Sequence, residues 1–300
     1  MIDRYHGALL GLAVGDALGT TLEFKAKGSF EPIDNMVGGG PFGLEPGQWT
    51  DDTSMALCLA ESLPERGFDP YDQMTRYLRW WRDGYWSSTG RCFDIGSTVA
   101  SALRRFEETG DPMAGSTDPH SAGNGSLMRL APVPLRYAED PAEAIRLAGE
   151  SSRTTHGAAE AVDACRYFAA LIVAALAGRS KDELLDGRAI VQGVEPLTPA
   201  IATIAAGSYR TRGAENVRAS GYVVHTLEAA LWAFYNSDTF RDGALLAVNL
   251  GEDADTTGAV YGQLAGAHYG QDGIPREWRD KIVRRDEILA LASRLHDCAW

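Results

Sequence analysis

Apolar residues along this chain recur mostly at intervals of three and four, the spacing that gathers them on one face of a helix. Such runs cover roughly residues 5–18, 52–63, 71–83, 95–109, 141–152, 157–178, 225–235, 239–250, 256–269 and 284–297. Alanine is frequent in them, which favours helix and close packing. No stretch alternates apolar and polar residues convincingly and no hairpin pair stands out, so strand content should be minor. The pattern predicts an all-α fold. In the first run Gly7, Gly11 and Gly15 fall every fourth residue among Leu9, Leu10, Leu12 and Val14. That spacing lets a second helix approach closely. The longest apolar stretch, Tyr167 to Ala177, is flanked by Arg166 and Arg179. It is too short to cross a bilayer and reads as a buried core helix.

Length alone would allow two domains in 300 residues, but no Ser/Gly/Pro-rich linker or long charge run divides the pattern. A single domain over 1–300 is the expectation. The formal net charge of −13 disfavours nucleic acid or an anionic membrane as the main partner. It leaves room for an anionic small ligand in a locally favourable pocket. Cys58, Cys92, Cys165 and Cys298 are widely spaced with no C-x-x-C pair, so free thiols in a reducing cytoplasm are expected rather than disulfides or a zinc site. Met1-Ile2-Asp3-Arg4 runs straight into a helical pattern with no signal-peptide cleavage signature, which also points to the cytoplasm.

Two short acidic clusters, Trp49-Thr50-Asp51-Asp52-Thr53 and Glu252-Asp253-Ala254-Asp255-Thr256-Thr257, each open into a helical run. Carboxylate and hydroxyl oxygens suit hard divalent cations such as Mg²⁺ or Mn²⁺. If the clusters meet, Asp51, Asp52, Asp253 and Asp255 bring four negative charges into one small volume, a costly arrangement unless cations neutralise it. Helix capping is the competing explanation, since Thr or Asp at an N-cap with acids in the first turn is ordinary helix-start chemistry. Capping needs one oxygen, however, and these clusters offer several.

Other segments are weaker on their own. Gly38-Gly39-Gly40-Pro41-Phe42-Gly43 is a loop leading to the first cluster. Ser121-Ala122-Gly123-Asn124-Gly125-Ser126 has glycine-permitted geometry that can cradle phosphate or ribose oxygens, or be only a turn. It lacks the lysine of a Walker motif. His156, at the head of the long core run, is either a capping or packing residue or a group that serves a ligand oxygen or shuttles a proton. Asp16 and Glu23, taken locally, read as solvent-facing acids after a glycine-rich helix. Trp80 and Trp81 read as core and surface anchors. There is no H-E-x-x-H spacing and no G-x-S-x-G elbow, which leaves acids and metals to carry any chemistry.

Taken in order, GDALG with downstream Glu23, WTDDT, CFDIG, GNGSLMR, TTHG and EDADTTG resemble the ADP-ribosylglycohydrolase family over nearly the whole chain. The likeness is to its dinitrogenase-reductase-activating branch, which removes ADP-ribose from arginine. The resemblance implies a compact, single-domain all-α fold with a central cleft holding two divalent cations, Mg²⁺ or Mn²⁺. It implies Thr50, Asp51, Asp52, Asp253, Asp255 and Thr256 as metal ligands, and Glu23 beside them as general acid or base. The expected catalytic set is thus Glu23, Asp52 and Asp255. Ser121, Gly123, Asn124 and His156 would line the ADP-ribose pocket, and Asp94 matches an acid of the arginine-directed members. The substrate implied is an arginine-linked ADP-ribosylated protein and the product ADP-ribose. Alternatives are a hydrolase of serine-linked or O-acetyl-ADP-ribose, a non-catalytic ADP-ribose binder, and a metal-dependent phosphohydrolase.

Overall fold

A computed structural model describes residues 1–187, 190, 194 and 196–299. Helix α1 (Ile2–Gly19) and helix α12 (Ala254–Tyr269) form the centre. They run antiparallel, and the contact is glycine on glycine. A Cβ added to Gly7, Gly11 or Gly15 would lie 2.2, 2.3 and 1.9 Å from the carbonyl oxygens of Gly266, Gly262 and Gly258. The seam ends where Gly19 meets the Ala254 carbonyl. The fourfold spacing in α1 therefore does what its sequence suggests, and Gly258, Gly262 and Gly266 are the matching half. Arg4 secures the far end, donating from Nη1 to the Ala267 carbonyl at 2.9 Å and the Ala175 carbonyl at 3.0 Å.

Around this pair stand α2 (Asp51–Arg66), α3 (Pro70–Asp83), α4 (Ser97–Thr109), α5 (Pro132–Arg136), α6 (Pro141–Arg153) and α7 (Ala159–Leu176). They are followed by α8 (Lys181–Leu185), α9 (Pro199–Ala205), α10 (Val223–Tyr235) and α11 (Phe240–Val248), and after α12 by α13 (Arg276–Arg279) and α14 (Arg285–Asp297). The stretch Tyr167–Leu176 lies inside α7 and is largely buried, the core helix its composition predicts. One large apolar cluster draws residues from α1, α2, α3, α7, α10 and α12 alike. Among the described residues there are no strands, only isolated bridges such as Gly123 with Tyr222 and Ser116 with His156. All four cysteines are free, and among the described residues no helix is long and apolar enough to cross a membrane.

Helix starts divide in an informative way. Asp69 caps α3 through the amides of Tyr71 and Asp72, Asp140 caps α6 through Glu143, and Thr239 caps α11 through Asp242. Helices α2, α4 and α12 receive no hydrogen bond from their N-cap side chains Thr50 and Asp253 or from Gly96. The capping explanation for the two acidic clusters therefore fails. Their oxygens are turned elsewhere.

Candidate active site

The glycine seam delivers the end of α1 to the start of α12, and α2 begins beside both. Asp16, on the last turns of α1, is fully buried. Its carboxylate accepts from the Thr50 amide at 2.9 Å, the Thr53 amide at 3.1 Å, the Thr50 hydroxyl at 3.0 Å and the Thr53 hydroxyl at 2.6 Å. It thus satisfies the open amides of α2 from a neighbouring helix. Trp49, also buried, anchors the approach by donating its indole N–H to the Val283 carbonyl.

Thr50 Oγ1 lies 3.0 Å from Asp16 Oδ1, 3.2 Å from Asp52 Oδ2 and 3.3 Å from Asp255 Oδ2. One hydroxyl hydrogen cannot serve three carboxylates. Thr256 Oγ1 adds a donor to Asp52 at 3.2 Å. Carboxylate oxygens of Asp16, Asp52 and Asp255 fall within 4.8 Å of one another, as do those of Glu23, Asp94 and Asp255. Buried Asp255 Oδ1 and Glu23 Oε2 have no hydrogen-bond partner among the described residues. Burial first, and neighbouring acids second, push Asp51, Asp52 and Asp255 well above the carboxylate range. Burial also raises Asp16 to about 6, the hydrogen bonds from Thr53 and Thr50 opposing it. Glu23 is pushed to about 9 and Asp94 to about 7, in each case by burial and then by nearby acids. Orphaned oxygens and crowded anions fit a site built for hard cations.

Above the cluster lies a cavity of about 370 Å³. Glu23, Asp51, Asp94, Asp253, Asp255 and Thr256 line it together with Gly123, Asn124 and His156. Thr50 and Asp52 sit beneath it, fully buried. Ser121 is not in the wall, and its hydroxyl donates back to the Asp118 carbonyl at 2.6 Å. Asn124 ties the Gly-Asn-Gly loop to the second acidic cluster, donating from Nδ2 to Asp253 Oδ2 at 2.9 Å and to Thr226 Oγ1 at 2.8 Å. The glycines of the Gly-Asn-Gly loop answer to His156. A Cβ on Gly125 would come within 2.8 Å of His156 Cε1, and one on Gly123 within 3.3 Å of Nε2. No lysine or arginine is among the lining residues that are described.

Backbone strain gathers at the same place. Phe24, Asp94 and Glu252 hold positive φ angles of 61°, 61° and 57°, a conformation that costs a side-chain-bearing residue. The Phe24 amide donates to the Glu252 carbonyl at 2.7 Å and the Glu252 amide to the Lys25 carbonyl at 2.8 Å. This clasp fixes Glu23 against the second acidic loop. Sequence reasoning missed Asp16 and the clasp, while Gly96 to Val99, which complete the wall at the start of α4, continue directly from the CFDIG motif. The signal for Asp16 was present in GDALG, but its partners lie 34 and 37 residues away.

A model of the ADP-ribosylglycohydrolase family matches residues 1–299. The chain is 46% identical to an ADP-ribosylarginine hydrolase, Tri1, of Pseudomonas putida, over 99% of this chain and 79% of that one. It is 36% identical to the ADP-ribosyl-[dinitrogen reductase] glycohydrolase of Rhodospirillum rubrum, over 97% of each. A solved structure titled an ADP-ribosylglycohydrolase-related protein complex superposes with a TM-score of 0.89 at 49% identity, covering 100% of this chain and 99% of that one.

Proposed function

Because this chain belongs to the ADP-ribosylglycohydrolase family, we propose that it hydrolyses the N-glycosidic bond between ADP-ribose and a modified protein arginine. The observation that carries the reading is the meeting of Glu23, Asp94 and Asp255 in one acidic cavity. Two divalent cations, Mg²⁺ or Mn²⁺, held by Thr50, Asp51, Asp52, Asp253, Asp255 and Thr256, would neutralise the acids and supply Lewis-acid and template effects. Asn124 and His156, in the same cavity wall, face the ADP-ribose moiety. Asp94 accepts N–H groups of the substrate guanidinium, a geometry that favours arginine linkages. Glycosidic cleavage passes through an oxocarbenium-like state, the C–N electron pair leaving with the guanidine. Glu23 is the proton carrier of this reading: with bound cations offsetting the neighbouring acids its carboxyl would be ionised, and it would take the proton of the attacking water and pass it to the departing guanidine nitrogen. The four free thiols support a reducing cytoplasmic setting.

Substrate comparison tests the reading. Asp94→Ala should lower kcat/KM on ADP-ribosyl-arginine by roughly 10- to 100-fold, the range for losing a hydrogen bond to a charged group. Serine-linked and O-acetyl-ADP-ribose should suffer much less. An equal loss on all three removes the arginine assignment.

A further inference from the structure

Arg129 is fully buried, yet no carboxylate pairs with it among the described residues. A buried cation without an acid is costly and asks for a reason. Its Nε donates to the Tyr77 hydroxyl at 3.1 Å and Nη1 to the Gly125 carbonyl at 2.7 Å. From Nη2 it reaches Thr154 Oγ1 at 3.2 Å and Thr155 Oγ1 at 2.8 Å. Thr155 Oγ1 in turn lies 2.9 Å from His156 Nδ1.

Counting hydrogens along this line fixes their direction. Arginine carries donors only, so Thr155 Oγ1 must accept from it. The hydroxyl hydrogen of buried Thr155 then has one acceptor in reach among the described residues, His156 Nδ1. If Nδ1 carried the proton instead, that hydroxyl hydrogen would be buried with nowhere to go, the costly case of an unmade buried hydrogen bond. The ring proton therefore sits on Nε2, beside Gly123 at the cavity wall. The main chain is held as firmly. The His156 amide donates to the Ser152 carbonyl at 2.7 Å, and the Ser152 hydroxyl donates to the His156 carbonyl at 2.8 Å.

We propose that Arg129 and Thr155 are positioning residues that lock His156 as the neutral Nε2–H tautomer, aiming one N–H donor at an acceptor oxygen of bound ADP-ribose. The inference rests on the reading above for its ligand and goes beyond it in assigning the ring's proton and the residues that set it. Burial, and then the Arg129 charge, lower the His156 pKa to about 3, consistent with a fixed donor and not with a proton shuttle.

Ring-¹⁵N-histidine NMR on the full chain reads the tautomer directly, with His156 assigned through His156→Gln. The wild type should show protonated Nε2 and bare Nδ1 at neutral pH. Thr155→Val should mix the tautomers and raise KM for ADP-ribosyl-arginine roughly 5- to 10-fold with kcat retained. Thr155→Ser should restore both readouts. Arg129→Met risks unfolding the chain, so the Thr155 pair carries the test. Protonated Nδ1 in the wild type overturns the proposal, as does Thr155→Val with its tautomer intact. An Nε2–H tautomer with KM unmoved by both Thr155→Val and His156→Gln overturns the placement of His156 at the ligand. The Asp94 comparison reads the acidic side of the cavity and stands apart from each of these results.

Discussion

His156 shows how one buried side chain can bind pH to stability. In the fold its pKa is held near 3, against an ordinary value of 6.5. A base depressed on folding contributes stability that is complete above its unfolded pKa and is lost as pH falls toward the folded one. The stability of the wild type relative to His156→Gln should therefore narrow between about pH 6.5 and pH 4, by up to roughly 3 kcal/mol. Denaturant midpoints taken in parallel at each pH measure this, and a constant difference would show that the ring charges freely in the fold. The same scale explains what was legible in the sequence. Asp51, Asp52, Asp253 and Asp255 announced themselves because acids and hydroxyls crowd within a few residues. Asp16 did not, because its hydrogen bonds come from Thr50 and Thr53 at the start of another helix. Arg129 was equally silent. Its meaning depends on Thr155, 26 residues away.

Between elements, the glycine seam converts helix packing into site geometry. Helices α1 and α12 approach so closely that a Cβ on Gly262 would lie 1.9 Å from the Gly11 carbonyl oxygen. Backbone, not a flexible side chain, occupies that space, so the helices must separate to admit a methyl group. Gly262→Ala should cost about 3 kcal/mol or more, at or beyond the upper range for overpacking, and should weaken divalent-cation binding as Asp16 and Asp255 are drawn apart. Urea unfolding with and without cation reads both effects, and a loss under about 0.5 kcal/mol would mean the seam is slack. Periodicity identified ten helices, and the observed spans begin and end near the predicted ones, as in 71–83 against Pro70–Asp83. The shorter α5, α8, α9 and α13 escaped because a helix of one or two turns holds too few apolar positions to declare a period. Pro132 and Pro199 at the first turns of α5 and α9, and the Ser180–Glu183 capping box of α8, were local signals too short to carry a period. The pairing of α1 with α12 was half visible, since Gly7, Gly11 and Gly15 told of a close neighbour without saying which.

For the molecule as a whole, the question is whether its acidity is a surface property or is concentrated at the site. A formal charge of −13 repels itself weakly across the surface, where charges farther apart than about 8 Å are screened at physiological ionic strength. Any salt relieves that repulsion. The buried acids around Thr50 are shielded from bulk ions, and short of protonation a cation seated among them is what offsets their crowding. Mg²⁺ or Mn²⁺ should therefore raise Tm by several degrees beyond NaCl at equal ionic strength, corresponding to about 2.7 kcal/mol at a hundredfold excess over Kd. In Asp255→Ala the divalent increment should vanish while the NaCl response remains. Turnover of ADP-ribosyl-arginine should fall by more than roughly 100-fold, the loss that even an outer partner of a metal ligand can cause. Calorimetry and an ADP-ribose release assay on the same preparations join the two results. Equal responses to NaCl and Mn²⁺ in the wild type would assign the cation effect to the surface. A divalent increment that survives in Asp255→Ala would move the binding site away from the junction of α1, α2 and α12.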